Sequence, residues 1–141
     1  MIDFQTKSVD MPLIDVRKVS AWIEAVAAAH DRTSGNLNYL FCDDEHILSV
    51  NREFLQHDYY TDIITFDYSR GSRIEGDMVI SLDTVRSNAE QVGEPYAREL
   101  LRVIVHGVLH LCGINDKGPG EREIMERNEN EALALYDRLE S

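Results

Sequence analysis

The residues best suited to chemistry are two histidines and an aspartate late in the chain. His106 and His110 are four residues apart, and Asp116 follows them after the helix-breaking Gly113. Positions i and i+4 lie on one face of a helix, so both imidazoles can reach a single ion. Gly113 allows the chain to turn sharply and bring Asp116 back to that ion. The spacing therefore predicts a metal site with these three side chains as ligands.

This ligand set indicates hydrolytic chemistry. Two imidazoles and one carboxylate are a recurrent set for zinc in hydrolases, with a fourth position left for water. Zinc lowers the pKa of that water toward neutrality and makes hydroxide available as a nucleophile. We therefore expect one divalent ion, zinc in the first instance, in a catalytic site. The ligand types leave nickel, manganese and iron open. The alternative is an interaction or assembly factor whose metal is mainly structural.

The spacing of the motif is similar to the His-x3-His-x2-Gly-x2-His pattern of the metzincin proteases. Those proteases place a glutamate, their general base, directly after the first histidine. Gly107 stands at that position here and has no side chain that could move a proton. The pattern thus disfavours peptide hydrolysis, and a metalloprotease-like hydrolase is kept only as an alternative.

The metal ligands need a helix, a tight turn and a scaffold to hold both, and the apolar pattern predicts such a scaffold. Strands are predicted at residues 2–6, 37–42, 61–68 and 76–82. Helices are predicted at residues 16–30, 43–55, 83–91, 95–112 and 121–139. A break is predicted at residues 34–36 and a turn at residues 69–72. We expect an α+β fold in which residues 1–141 form a single domain, with a small four-stranded mixed sheet packed against about five helices.

The overall composition limits the classes of function. The 141 residues include 14 Lys and Arg against 26 Asp and Glu, a formal net charge of −12. This charge argues against coating DNA or an anionic membrane. Two cysteines do not make a disulfide framework, and no signal peptide or membrane-length apolar run is present, so we expect a soluble cytoplasmic protein. The glutamates of the last helix predict a solvated face: Glu121, Glu123, Glu126, Glu129 and Glu131.

Several blocks along nearly the whole chain match one known family. The segment His106-Gly107-x-Leu109-His110-Leu111-x-Gly113 looks like the core of the signature of the YbeY family of bacterial metal-dependent endoribonucleases, which usually continues with Tyr-Asp-His. The other blocks agree in order and spacing: Asn51, Asp58, Thr61-Asp62-Ile63-Ile64-Thr65-Phe66, Gly76-Asp77-Met78-Val79-Ile80-Ser81, and Met125 with the acidic terminal helix.

The resemblance implies a single-strand-specific endoribonuclease that acts in 3′ maturation of small-subunit (16S) ribosomal RNA and in ribosome quality control. It also implies a zinc ion held by His106, His110 and the residue at position 116. The expected partners are single-stranded RNA and the small ribosomal subunit, with no role for DNA or a membrane.

Two departures from the family pattern concern the site itself. The third family histidine is replaced by Asp116, which still supplies a ligand but changes the charge. The family also usually has an Arg-x-Lys pair before the Thr-Asp strand, where this sequence has Leu55 and His57. That arginine could clamp a phosphate and stabilise developing charge, which Leu55 cannot do. We therefore name His57 (acid, base or phosphate contact) and Lys117 (phosphate contact) as candidate catalytic residues. A solvated surface role is the alternative for each.

Overall fold

The computed structural model describes residues 1–57 and 61–140. Within these ranges it has four strands and five helices, in the order β1 (Ile2–Thr6), α1 (Val16–Ala29), β2 (Thr33–Cys42), α2 (Asp44–Leu55), β3 (Ile63–Asp67), β4 (Arg73–Ser81), α3 (Leu82–Val92), α4 (Tyr96–Leu111) and α5 (Glu121–Arg138). The predicted α+β class, with a four-stranded mixed sheet and five helices, is confirmed.

The four strands form one sheet in the order β1-β2-β4-β3. β1, β2 and β4 run parallel, and α1 supplies the crossover that parallel neighbours such as β1 and β2 require. β3 runs antiparallel to β4 at the edge, with Ile63 opposite Ile80 and Asp67 opposite Gly76. The turn predicted at residues 69–72 joins these two strands. β3 therefore forms one edge of the sheet, beyond β4.

The predicted break at residues 34–36 is wrong, because this segment lies inside β2. The register of β2 against β4 shifts between Ser34 and Leu37. A bulge of this kind absorbs irregular backbone without ending the strand. β4 also begins three residues earlier than predicted, at Arg73, because it pairs with the early part of β2 through Thr33.

Side-chain and backbone caps set several helix ends where the sequence indicates them. Asp15 and Asp43 cap α1 and α2 through their carboxylates. Gly93 ends α3 in the left-handed conformation, with a φ of 71°. The strand predicted to reach Leu82 ends at Ser81 instead, because the Ser81 hydroxyl accepts a hydrogen bond from the α3 backbone and caps that helix.

α4, the helix that carries both histidines, packs against β3 and β4 and against its neighbours α3 and α5. From β2, the buried Tyr39 hydroxyl donates a hydrogen bond to the Ile104 carbonyl of α4 at 2.9 Å. Gly107 allows a close approach to the sheet, since a Cβ there would lie 2.9 Å from Met78 Cγ and 3.0 Å from Ile63 Cδ1. The histidine-bearing helix is therefore held against the sheet from within the core.

The two cysteines are both free and buried. Cys42 packs in a small cluster beneath α2, and Cys112 packs in the main core. Among the described residues, none of the helices combines the length and the hydropathy needed to cross a bilayer.

Candidate metal centre

The end of α4 and the turn after it bring the three predicted ligands together. His106 and His110 lie one turn apart on the same helix face, with ring centroids 4.5 Å apart. Gly113 follows with a φ of 95°, and its amide donates to the His110 carbonyl at 2.9 Å. This left-handed residue, as predicted, stops the helix and reverses the chain. The reversal places Asp116 beside both rings.

The distances among these side chains suit a single ion. Asp116 Oδ2 lies 3.3 Å from His106 Nε2 and 3.5 Å from His110 Nε2. One donor atom of each residue lies within 4.8 Å of the other two. A tetrahedral zinc ion with bonds of about 2.0–2.1 Å holds neighbouring ligand atoms roughly 3.3–3.4 Å apart. The three side chains thus form a cluster that could bind one zinc-sized ion.

His106 has a second partner, Glu129, which the sequence-based prediction placed in solvent. His106 Nδ1 lies 2.6 Å from Glu129 Oε2, and Glu129 Oε1 accepts a hydrogen bond from Arg102 at 3.0 Å. Glu129 is only 8% exposed, so the predicted solvated face is wrong at this residue. The cause is the packing of α5 on α4. The signal was its position on the apolar stripe of α5, one turn after buried Met125 and one turn before buried Leu133.

The two imidazoles differ in their electrostatic surroundings. Burial acts to lower the pKa of His106, but the hydrogen bond to Glu129 and the negative charges of Glu129 and Asp116 outweigh it, so this pKa is raised. Burial also lowers the pKa of His110, and the neighbouring His106 adds to that effect, so the net shift is downward. The carboxylates around the site therefore raise the pKa of His106, whereas burial and the neighbouring ring determine the lowered pKa of His110.

An open cavity of about 480 Å³ lies over the cluster, between the end of α2, strand β3 and the turn after α4. Its lining includes His106, His110 and Asp116, together with Asn51, Leu55, His57, Thr61, Asp62 and Lys117. The candidate catalytic residues His57 and Lys117 thus border the same cavity as the three predicted ligands, and both are exposed. Leu55, at the position of the family arginine, borders it too. Asp58 lies outside the described residues.

Gly107, next to the first histidine, is buried against the sheet. A side chain there would meet Met78, Ile63 and Thr65 within 3.5 Å. A glutamate could not be accommodated at this position without displacing contacts between α4 and the sheet. This packing adds to the argument against the proteolytic mechanism of the metzincins.

A second cavity of about 510 Å³ borders the same cluster and lies among α3, α4 and α5. Asp62, His106 and Asp116 line both cavities. Its lining is rich in carboxyl groups, and burial raises the pKa of two of them, Asp62 and Glu99. The surroundings of the cluster are therefore acidic on this side, whereas both candidate catalytic residues lie on the first cavity.

Comparison with known proteins settles the family. The family model described as Endoribonuclease YbeY matches residues 1–137. The chain belongs to the YbeY family. A relative named Endoribonuclease YbeY from Phocaeicola vulgatus is 65% identical over 135 residues, covering 96% of this chain and 98% of the relative. Its namesake from Bacteroides thetaiotaomicron is 62% identical over 134 residues, covering 95% and 98%. The YbeY resemblance predicted from the motif blocks is therefore confirmed.

The YbeY family also extends to more distant relatives of this chain. A protein of the same name from Flavobacterium psychrophilum is 40% identical over 136 residues, covering 96% of each chain. The solution structure of a Thermotoga maritima protein superposes with a TM-score of 0.65 at 20% identity, covering 97% of this chain and 92% of that one. At that identity the likeness concerns the fold alone.

Proposed function

We propose that the chain is a metal-dependent endoribonuclease that cleaves single-stranded RNA, with a divalent ion, zinc in the first instance, held by His106, His110 and Asp116. The observation that carries the proposal is the convergence of these three donors on an open cavity in a member of the YbeY family. Family membership supports the cleavage of RNA. The donor set supports the metal.

We assign the remaining roles to side chains on the same cavity. The bound ion would polarise a phosphoryl oxygen and lower the pKa of a water molecule. Lys117 offers an exposed ammonium group to a phosphate oxygen. As a water oxygen attacks phosphorus and releases its proton to solvent, the bond from phosphorus to a ribose oxygen breaks, and His57 donates a ring-nitrogen proton to that leaving oxygen. Leu55 stands at the position of the family arginine, so these two side chains would make the phosphate and proton-transfer contacts that a guanidinium cannot make here.

The biological setting we propose is 3′ maturation of 16S ribosomal RNA and ribosome quality control in the cytoplasm, with the small ribosomal subunit as partner. The motif blocks shared with the family support this setting. The two free, buried cysteines agree with a reducing compartment. A net charge of −12 opposes long-range attraction to any polyanion, so binding depends on local contacts at the cavity and on the partner, which disfavours DNA as a target.

Cleavage of defined oligonucleotides tests this proposal. Zinc-loaded full-length protein is incubated with an end-labelled single-stranded RNA, with the same RNA as a duplex, and with single-stranded DNA of the same sequence. We expect the single-stranded RNA alone to be cut, and His110→Ala, checked for its fold by circular dichroism, to leave it intact. An intact RNA with the wild type, or equal cleavage by wild type and variant, contradicts the proposal.

A further inference from the structure

We infer that Glu129, held by Arg102, is the positioning residue of the metal centre: it fixes the orientation and the tautomer of His106. This inference rests on the proposed metal site and extends it to α5. Glu129 carries an acidic side chain on the buried face of that helix, where it is 8% exposed. A buried carboxylate requires partners that compensate for its lost hydration. It has two, His106 and Arg102.

The two ring nitrogens of His106 face different carboxylates. Nδ1 lies 2.6 Å from Glu129 Oε2, and Nε2 lies 3.3 Å from Asp116 Oδ2. A carboxylate can only accept from a neutral imidazole, so Glu129 keeps the proton on Nδ1. The lone pair of Nε2 is then directed at the space shared with His110 and Asp116. Carboxylates that hold a metal-binding histidine in this way fix the ring and increase its basicity.

Arg102 holds the other end of the same carboxylate. Its Nη1 donates to Glu129 Oε1 at 3.0 Å, and its Nη2 donates to Asn130 Oδ1 at 2.9 Å. Arg102 lies one turn before His106 on α4, so a single helix supplies both side chains that contact the Glu129 carboxylate. Each oxygen of the Glu129 carboxylate therefore has its own partner, Arg102 for Oε1 and His106 for Oε2.

The requirement for two acceptor oxygens makes Glu129→Gln a sharp variant. A glutamine has one oxygen and one NH₂ group in the same volume. If its oxygen accepts from His106 Nδ1, its NH₂ faces the donor Arg102. If its oxygen accepts from Arg102, its NH₂ faces Nδ1 and moves the imidazole proton to Nε2, the nitrogen needed by the metal. Either arrangement weakens the metal site with little change in packing.

Zinc affinity, measured by competition with a chromophoric chelator, tests the inference together with metal-free stability in urea. We expect Glu129→Gln to bind Zn²⁺ about 10–100-fold more weakly, with a smaller loss in the free energy of metal-free unfolding. Glu129→Asp, which keeps both oxygens, should recover part of the affinity. Glu131→Gln on the exposed side of α5 is the matched control and should bind as the wild type does. Nitrogen-15 spectra of the zinc-loaded wild type should show His106 protonated at Nδ1.

Each outcome separates this inference from the proposed site. If His110→Ala loses zinc while Glu129→Gln matches the Glu131→Gln control, the metal site stands and the positioning role of Glu129 is overturned. The role is also overturned if Glu129→Gln lowers the free energy of metal-free unfolding by as much as it lowers the free energy of zinc binding. Glu129 is then only a contact between α4 and α5. If His110→Ala keeps wild-type affinity, the proposed metal site itself is wrong.

Discussion

The cavity has two sides built on different principles. The ligand side consists of His106, His110 and Asp116, which line the cavity, and of Glu129, which contacts His106 from outside its lining. Counted over side-chain atoms alone, the four are between 11% and 29% exposed, and each contacts another member of the group. The open side consists of Leu55, His57 and Lys117. These three are exposed and lie at the end of α2 or beyond the turn after α4.

This contrast indicates a division of labour. Preorganised donors bind an ion strongly because little conformational freedom is lost when the ion arrives. Exposed side chains on connecting segments suit an extended polymer that must enter and leave. Metal binding and RNA cleavage should therefore respond separately to changes on the two sides.

Metal removal should have the largest effect. Chelation, or loss of a ligand in His110→Ala, should reduce kcat/KM for single-stranded RNA by more than about 10³-fold, since the charge stabilisation at the phosphate is lost. The fold should persist, because the core beneath α4 is formed by apolar side chains and does not include the three predicted ligands. Circular dichroism and the melting temperature measure this. A chelated protein that unfolds indicates a structural metal and removes the contrast between the two sides.

A change at His57 should come next in size. His57→Gln keeps polarity but removes proton transfer, so kcat should fall by about 10²-fold. The zinc affinity should stay at its wild-type value, because His57 lies on the open side. Single-turnover cleavage measures the rate of the chemical step, and competition with a chelator measures the zinc affinity. A loss of zinc affinity would place His57 among the ligands instead, and unchanged kcat would leave it a solvated loop residue.

Lys117→Ala should have a smaller effect, confined to substrate binding. A charge-assisted contact to phosphate at an exposed position supports a rise in KM of about 10-fold, with kcat nearly unchanged. Lys7→Ala is a matched control, because Lys7 is also exposed and lies outside the cavity lining. Steady-state kinetics at two salt concentrations measure both variants. Equal behaviour of the two lysine variants would remove Lys117 from the site.

The smallest effect should come from Gly107→Ala, which changes how α4, the helix that carries both histidines, packs on the sheet. Overpacking against Met78 and Ile63 costs about 1–3 kcal/mol, offset by about 1 kcal/mol of improved helix propensity. Urea unfolding should show a net loss of about 1 kcal/mol, together with slightly weaker zinc binding. A stabilised variant would mean that α4 is not held against the sheet at this glycine.

The sequence predicts the ligand side well where the geometry is local. His106 and His110 lie on one helix, and Gly113 directly follows its end. Their spacing alone therefore indicates that the two imidazoles share one face and that the chain turns back after them. Glu129 comes from a separate helix, and only the packing of α5 on α4 brings it to Nδ1 of His106. Its place between Met125 and Leu133 was the available signal, and the other glutamates of α5 obscured it.

The errors in the sheet have a similar origin. The small and polar residues at 34–36 have the composition of a turn, but pairing with β4 keeps them in β2 as an irregular stretch. Tertiary pairing overrides local preference there, and the same holds for the early start of β4. Local patterns thus account for the helix caps and the metal motif, whereas contacts between distant elements account for what was missed.

The central claim is that one ion at His106, His110 and Asp116 carries the RNA cleavage, and a zinc titration tests it most directly. Metal-free protein receives increasing Zn²⁺ while the initial rate of single-stranded RNA cleavage is recorded. We predict a rate that rises in proportion to added zinc and levels off at about one ion per chain, with no rise in His110→Ala. Full cleavage by the metal-free protein, or the same rise in the variant, would contradict the claim.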